Sequence, residues 1–214
     1  MYFGVGSFWY PQHEFIKAER DLLGRTDQDL TSRTGYAGGN YLNKGCNLCY
    51  RGRESYDKKG FAQVVSVVIP LQSFEDFAKV YIGLFVHGHR PFTDNSIDEG
   101  AEFRHIIGIP QGINNEFLMQ KLEIANDGML TLVQGVGNDT DNLYKSEFSD
   151  AFGSRLFDKS AYVMDSDEFR FHQAEKFNQF HDGEKEIEKY DDEYKALSSV
   201  TFEDFPIQEL SKCP

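Results

Sequence analysis

Hydrophobic residues along this chain follow two spacings, one typical of helices and one typical of strands. Apolar positions recur at helical spacing in residues 10–23, in a segment that begins at Ser73, and in residues 117–125. Gly24 follows the first of these helices and is a plausible stop for it. Longer apolar runs predict strands, which we place at 61–70, 103–109 and 130–136.

The C-terminal third of the chain adds two more predicted helices, over residues 169–180 and over the charged run 185–197. Helices and strands therefore alternate along most of the sequence, and no internal repeat is visible. This alternation predicts a single domain of the α/β or α+β sandwich type. We expect the main domain to span residues 1–183 and a charged C-terminal extension to span residues 184–214.

Composition and charge narrow the class of protein. The chain has 214 residues and 40% of them are hydrophobic, which is enough apolar material for a core. It carries 22 basic and 35 acidic residues, so its net charge of −13 makes nucleic acid and anionic lipid poor partners. No apolar run reaches the roughly 18 residues of a membrane span, and no secretory signal is visible. We expect a soluble intracellular protein, in the cytoplasm or in an organelle.

The three cysteines, an odd number, do not predict a disulfide framework. Cys46 and Cys49 form a C-x-x-C motif, for which four interpretations stay open: a redox pair, part of a metal site, a local disulfide, or loop thiols without a task. A zinc site needs two further ligands, for which the sequence offers only weak candidates. We therefore expect no metal and no cofactor. Cys213 is the third redox candidate.

Six short motifs follow one another along the chain. They are GSFW at 6–9, TGYAGG at 34–39, NLCY at 47–50, GFAQVV at 60–65, DEGAEFR at 98–104 and AEKFNQ at 174–179. This series resembles the peptide methionine sulfoxide reductase A family, whose motifs are G-C-F-W, T-x-x-G-Y-A-G-G, N-P-T-Y, G-H-A-E-V-V, D-x-G-x-Q-Y-R and A-E-x-Y-H-Q. The likeness covers residues 1–109 and 167–181, with a divergent insertion at about 110–166. It implies an α/β (α+β) two-layer sandwich with a ferredoxin-like core.

The departures from the family motifs fall on its catalytic positions. Ser7 stands where the resemblance implies a cysteine nucleophile, and Gln63 stands where it implies a glutamate that protonates the sulfoxide oxygen. Phe103 replaces a tyrosine donor, and Phe61 replaces a histidine. A serine hydroxyl has no two-electron oxidation route comparable to that of cysteine, and glutamine carries no transferable carboxyl proton. Several changes around one site favour natural divergence over a single engineered mutation.

The resemblance also implies that an aromatic recess for the methyl group of the substrate persists. Its predicted members are Phe8, Trp9, Tyr36, Asp98, Phe61 and Phe103. An aromatic recess beside one carboxylate can accept a methyl thioether, or a methylsulfonium or methylammonium group through cation–π attraction. The likeness further implies that Cys213 is a remnant of the family's C-terminal resolving cysteine, with nothing to resolve when residue 7 is serine.

These observations predict a divergent methionine sulfoxide reductase A-like protein without thiol-based sulfoxide reduction at residue 7. Such a chain acts as a binding or structural component, in a protein assembly that uses the divergent segment as a contact surface. Two alternatives stay open. One is a peptide-methionine (S)-S-oxide reductase in which Ser7 replaces the catalytic cysteine, and the other is a different chemistry in the same recess, to which Cys49 at the expected rim could contribute.

Overall fold

A computed structural model describes residues 1–40, 48–51, 55–86, 100–139, 160–183, 189–209 and 213. Within these ranges the chain forms a mixed α/β fold with a seven-stranded sheet and four α-helices, which is compatible with an α+β sandwich. In chain order the elements are β1 (Tyr2–Gly4), α1 (Trp9–Leu23), β2 (Arg33–Ala37), β3 (Ala62–Ser66), α2 (Phe74–Val86), β4 (Ile106–Ile109), α3 (Glu116–Asn126), β5 (Thr131–Gln134), β6 (Ser160–Asp165), β7 (His172–Gln173) and α4 (Asp192–Ala196).

The sheet has the order β5-β6-β4-β1-β3-β2-β7, with β1 in the middle. β1 pairs antiparallel with both β3 and β4, whereas β4, β5 and β6 run parallel to one another. β2 pairs antiparallel with β3 in a register that sets Tyr36 opposite Gln63. Residues that face each other across a strand pair project from the same face of the sheet, so this register brings the two side chains together.

One face of the sheet is covered by helices and carries the larger core. Phe3 of β1 stacks on Phe15 of α1 with ring centroids 5.0 Å apart, and the ring of Tyr81 in α2 lies 5.4 Å from that of Phe3. The opposite face buries a smaller cluster that includes Val64 and Phe169. Alternate residues of β1, β3, β4 and β6 thus enter different cores, as the two-residue period of a strand requires.

The predicted helices and strands of the first 136 residues are confirmed, with shifted ends. α1 ends at Leu23, and the next residue, Gly24, has a left-handed φ of 65°, the conformation that favours glycine at a helix C-terminus. The strand predicted at 103–109 is shorter than expected, because residues 101–103 form a 3-10 turn before β4 begins. None of the helices in the described part of the chain is long and apolar enough to cross a bilayer.

The prediction of a helix over residues 169–180 is wrong. The segment instead forms the short strand β7 and a 3-10 turn at Lys176–Asn178. Its side chains bind the edge of the sheet: the amide of Gln179 donates to the carbonyl oxygens of Thr34 and Ala174, and its Oε1 accepts from the N–H of Thr34. These tertiary hydrogen bonds tie the segment to β2, so local propensity does not decide its conformation.

The predicted charged helix over 185–197 is confirmed only for its second half. Residues 184–188 lie outside the described part of the chain, and α4 begins at Asp192. The side chain of Asp191 accepts from the N–H of Tyr194 and caps this helix. Tyr194, Leu197 and Phe202 then pack against Ile16 and Phe180, so residues 189–209 lie against α1.

Candidate functional site

Ser7 lies at the start of α1, one residue before the helix N-cap Phe8. The turn that delivers it uses Gly6, whose φ is 62°, and the N–H of Gly6 donates to the carbonyl oxygen of Phe103 at 3.0 Å. Ser7 is half-buried. The predicted nucleophile position therefore occupies a helix N-terminus, with a hydroxyl in place of a thiol.

Gln63 uses both ends of its amide to connect α1 to the aromatic side chains around it. Its Oε1 accepts from the N–H of Phe8 at 3.0 Å, and its Nε2 donates to the hydroxyl oxygen of Tyr56 at 2.6 Å. The side chain is 1% exposed. Both polar atoms of this amide are thus bound inside the protein, which gives Gln63 a structural role.

Five aromatic side chains form a continuous group, the aromatic cluster, whose members are Phe8, Trp9, Tyr36, Tyr50 and Tyr56. Tyr36 and Tyr56 stack with centroids 4.4 Å apart, and Tyr50 lies 6.2 Å from both Phe8 and Trp9. Burial raises the pKa of Tyr56 above its usual range, and the hydrogen bond from Gln63 offsets part of this rise.

Trp9 is covered by neighbouring rings. His181 stacks on it at 4.7 Å and Tyr50 lies on another side, so only 8% of the tryptophan is exposed. Its indole Nε1 is buried and has no hydrogen-bond partner among the described residues. The expected aromatic recess is therefore filled on the Trp9 side by the molecule's own rings.

Glu175 is a buried carboxylate, 5% exposed, that lies against the aromatic cluster. Its Oε2 accepts from the hydroxyl of Tyr36 at 2.8 Å and from Nδ2 of Asn178 at 3.2 Å, and its Oε1 accepts from the N–H of Tyr50 at 2.7 Å. Burial, and after it the negative charge of Glu175, raise the pKa of Tyr36 far above its usual range. Tyr36 is therefore a donor to this carboxylate at any physiological pH.

No cation balances this carboxylate in the described part of the chain. None of the ion pairs formed by the described residues includes Glu175. Buried charges in proteins are usually paired or bound to a metal, because removing a charge from water is costly. A positively charged or proton-donating partner would therefore stabilise the carboxylate of Glu175.

A disulfide joins Cys49 to Cys213 beside the same carboxylate. The two sulfur atoms and one carboxylate oxygen of Glu175 all lie within 4.8 Å of one another. Cys49 is 1% exposed, whereas Cys213 is half-buried. The odd cysteine count gave no indication of this pairing, which joins residues 164 positions apart. The same three side chains are of metal-ligating types, but only reduced sulfurs could serve as thiolate ligands.

A cavity of about 650 Å³ opens next to Glu175 and the disulfide. Its walls include Glu175 and Cys213, the aromatic side chains of Phe177, Phe180 and His181, and four charged residues, Lys176, Asp182, Lys195 and Glu209. Three carboxylates and two ammonium groups thus line it. His181 connects the cavity to Trp9 because it lines the former and stacks on the latter.

The structure brings together four of the residues that the sequence predicts for the site, namely Phe8, Trp9, Tyr36 and Gln63, and sets Cys49 and Cys213 beside them. Phe61 packs against Gly39 and lies edge-on to His172 with ring centroids 5.6 Å apart, within the same hydrophobic core as Phe8 and Tyr36. Phe103 contributes its carbonyl oxygen to the turn at Gly6, and its side chain is half-buried. Asp98 and Cys46 lie outside the described residues.

Three residues at the centre of the site were not singled out from the sequence: Tyr50, Tyr56 and Glu175. The signal for Glu175 was present, because it is the acid of the motif at 174–179. No protein-family model matches the chain, and a search of curated proteins finds no match. The likeness to methionine sulfoxide reductase A therefore stays a prediction from its motifs.

Proposed function

We propose that this chain is a divergent relative of peptide methionine sulfoxide reductase A, with that family's ferredoxin-like core, which binds a methyl-bearing group and does not reduce sulfoxide through residue 7. The position of Ser7 at the start of α1 and the pairing of Tyr36 with Gln63 support the relationship. The hydroxyl of Ser7 offers no atom that can accept oxygen and later release it. The protein then acts as a binding or structural component.

The ligand class that fits best is a methylated cation, a methylsulfonium or a methylammonium group. One observation carries this inference: Glu175 is buried, has no cation among the described residues, and lines the cavity. Phe177 and His181 line the same cavity, and Phe177 is 56% exposed. Aromatic faces and a carboxylate together attract a cation that carries an apolar methyl surface.

A neutral methyl thioether or a methionine sulfoxide fits the same aromatic walls less well. Either group gains apolar contact but supplies no positive charge to Glu175, which has no cationic partner among the described residues. Lys176 and Lys195 also line the cavity, so the site is not uniformly negative. We therefore expect the preference for a cation to come from Glu175 itself, and not from the general charge of the chain.

Calorimetric titration with choline and with 3,3-dimethyl-1-butanol, its neutral isostere, tests this proposal. We expect choline to bind at least tenfold more tightly, which corresponds to about 1.4 kcal/mol. Glu175→Gln should remove the preference, whereas Glu203→Gln, at an exposed residue outside the cavity, should leave it unchanged. Equal affinity for the two compounds, or no binding of choline at tens of millimolar, contradicts the proposal.

A second candidate function is the reductase itself, with Ser7 in place of a cysteine. The observation that favours it is the location of Ser7 at the N-terminus of a 15-residue helix, where a thiolate would be stabilised. Turnover of a methionine-S-sulfoxide peptide by Ser7→Cys with dithiothreitol tests it. Substantial turnover by this single variant supports the second candidate, and its absence supports the first.

A further inference from the structure

We propose that the Cys49–Cys213 disulfide is a redox centre that exchanges with a low-molecular-weight dithiol from the cavity, with Cys213 as the sulfur attacked and Glu175 as the proton-transferring group. This inference goes beyond the proposed binding function, because it concerns the sulfur pair and holds whichever ligand the cavity accepts.

The two sulfur atoms differ in access. Cys213 lines the cavity of about 650 Å³ and is half-buried, whereas Cys49 is 1% exposed. Disulfide exchange proceeds by attack of a thiolate on one sulfur while the other leaves. A dithiol that enters the cavity meets Cys213 first. Cys49 is therefore the leaving sulfur, and it departs into the buried side of the site.

The departing Cys49 needs a proton. A thiolate formed there would be buried and would lie near the negative charge of Glu175, and both conditions disfavour an anion. Glu175 is within 4.8 Å of both sulfurs. An ionised carboxylate offers about four acceptor positions. Three are used by Tyr50, Tyr36 and Asn178, which leaves one position on Oε1.

The reaction then balances without any further reagent. Glu175 takes the proton of the attacking thiol of the dithiol. The sulfur of that thiol then bonds to the Cys213 sulfur, and the bond between Cys213 and Cys49 breaks. Glu175 passes the proton to the Cys49 sulfur. The second thiol of the dithiol then attacks the dithiol sulfur that is bound to Cys213, which closes the dithiol's own disulfide and breaks the mixed disulfide, and the proton of this second thiol passes to the Cys213 sulfur, which leaves as a thiol. The dithiol loses two electrons and the protein disulfide gains two, while Glu175 returns to its starting state.

The C-terminal segment has contacts with the rest of the protein besides the disulfide. Tyr194 and Phe202 are buried against Ile16 and Phe180. The guanidinium of Arg33 lies 3.9 Å from the ring centroid of Phe202, and it also bonds to the carbonyl oxygen of Phe205. Residues 189–209 are thus anchored by apolar and cation–π contacts, so the disulfide is available for chemistry.

The first test is the rate of reduction of the native full-length chain by excess dithiothreitol at pH 7, followed by alkylation and mass spectrometry. We expect reduction without unfolding, slowed tenfold or more in Glu175→Gln and unchanged in Glu203→Gln. In denaturant the native chain and Glu175→Gln should react at the same rate. A disulfide that resists dithiothreitol until the protein unfolds, or equal rates for the two variants, overturns the proposal.

The second test keeps Glu175 intact and asks which sulfur is attacked. In a Cys46→Ser background, Cys49→Ser leaves the thiol of Cys213, and Cys213→Ser leaves that of Cys49. We expect the aromatic disulfide 5,5′-dithiobis(2-nitrobenzoate) to react at least tenfold faster with Cys213 than with Cys49. Equal reactivity, or faster reaction of Cys49, overturns the assigned order of attack.

Discussion

The two sides of the aromatic cluster differ in what their polar groups can still do. On one side, Gln63 is bound at both ends, to the N–H of Phe8 and to the hydroxyl of Tyr56. On the other side, Glu175 keeps a negative charge with no cation among the described residues, and it lies beside the disulfide. Both side chains are buried and hydrogen-bonded.

This difference shows that burial and hydrogen bonding alone do not identify a reactive group. The amide of Gln63 has neither a charge nor a proton to exchange, so its two hydrogen bonds fulfil its need for polar partners. The carboxylate of Glu175 has three donors, but neutral donors do not cancel its charge. The chemical capacity of the site therefore lies on the Glu175 side, although the motif likeness directs attention to Ser7 and Gln63.

The largest expected effect concerns what holds the Glu175 side in place. Phe202→Ala should lower the free energy of unfolding by about 3–5 kcal/mol, because it removes a buried ring from the cluster that anchors residues 189–209. The measurement is urea unfolding in dithiothreitol, so that the disulfide does not contribute. A loss below about 1 kcal/mol would show that apolar packing is not the anchor.

The next effect concerns the Gln63 side. Gln63→Leu should cost about 2–4 kcal/mol, because it leaves the buried N–H of Phe8 and the hydroxyl of Tyr56 without their partner. Gln173→Leu is the matched control, since Nε2 of Gln173 is buried without a partner among the described residues. It should be neutral or stabilising. Similar losses in the two variants would argue against a structural role for Gln63.

The third prediction asks whether the Gln63 side can be made reactive. Ser7→Cys alone should show little turnover of a methionine-S-sulfoxide peptide, because Gln63 has no proton to transfer. Adding Gln63→Glu should raise that turnover by about a hundredfold, in line with the usual contribution of a general acid. The rate of the unmodified chain is the baseline. If Ser7→Cys alone matches the double variant, Gln63 is not the missing acid.

The smallest effect comes from His172, which lies edge-on to Phe61 and opposite Tyr36 in the β2–β7 pair. Burial lowers its pKa below 6.5, so the unfolded chain binds the proton more readily than the folded one. Stability should therefore fall as the pH drops below about 6.5, until His172 also titrates in the folded protein. His172→Gln should reduce this dependence in urea unfolding between pH 5 and pH 7. An unchanged profile in the variant would exclude His172 as its source.

The sequence predicted those helices and strands whose apolar spacing and end signals lie within the element itself. α1 and α2 have apolar stripes that face the sheet, and Gly24 ends α1 with a left-handed residue. Residues 169–180 were misassigned because their conformation depends on hydrogen bonds to β2, more than 130 positions away. Such distant partners leave no trace in local periodicity.

The motifs predicted the site residues correctly only where they lie on strands and helices that are in contact in the folded protein. Tyr36 and Gln63 meet because β2 and β3 pair, and Phe8 follows because α1 begins above them. Glu175 belongs to the motif at 174–179, but its place in the motif did not single it out, because its role depends on its burial and on the lack of a cation among the described residues. The pairing of Cys49 with Cys213 likewise depends on the path of the C-terminal segment across α1.

The most direct test of which side carries the function is the affinity for choline of two variants, Ser7→Ala and Glu175→Gln, measured by calorimetry on the full-length chain. The account predicts that Ser7→Ala binds within twofold of the unmodified protein and that Glu175→Gln binds at least tenfold more weakly. The opposite order, with Ser7→Ala weakened and Glu175→Gln unchanged, would contradict it.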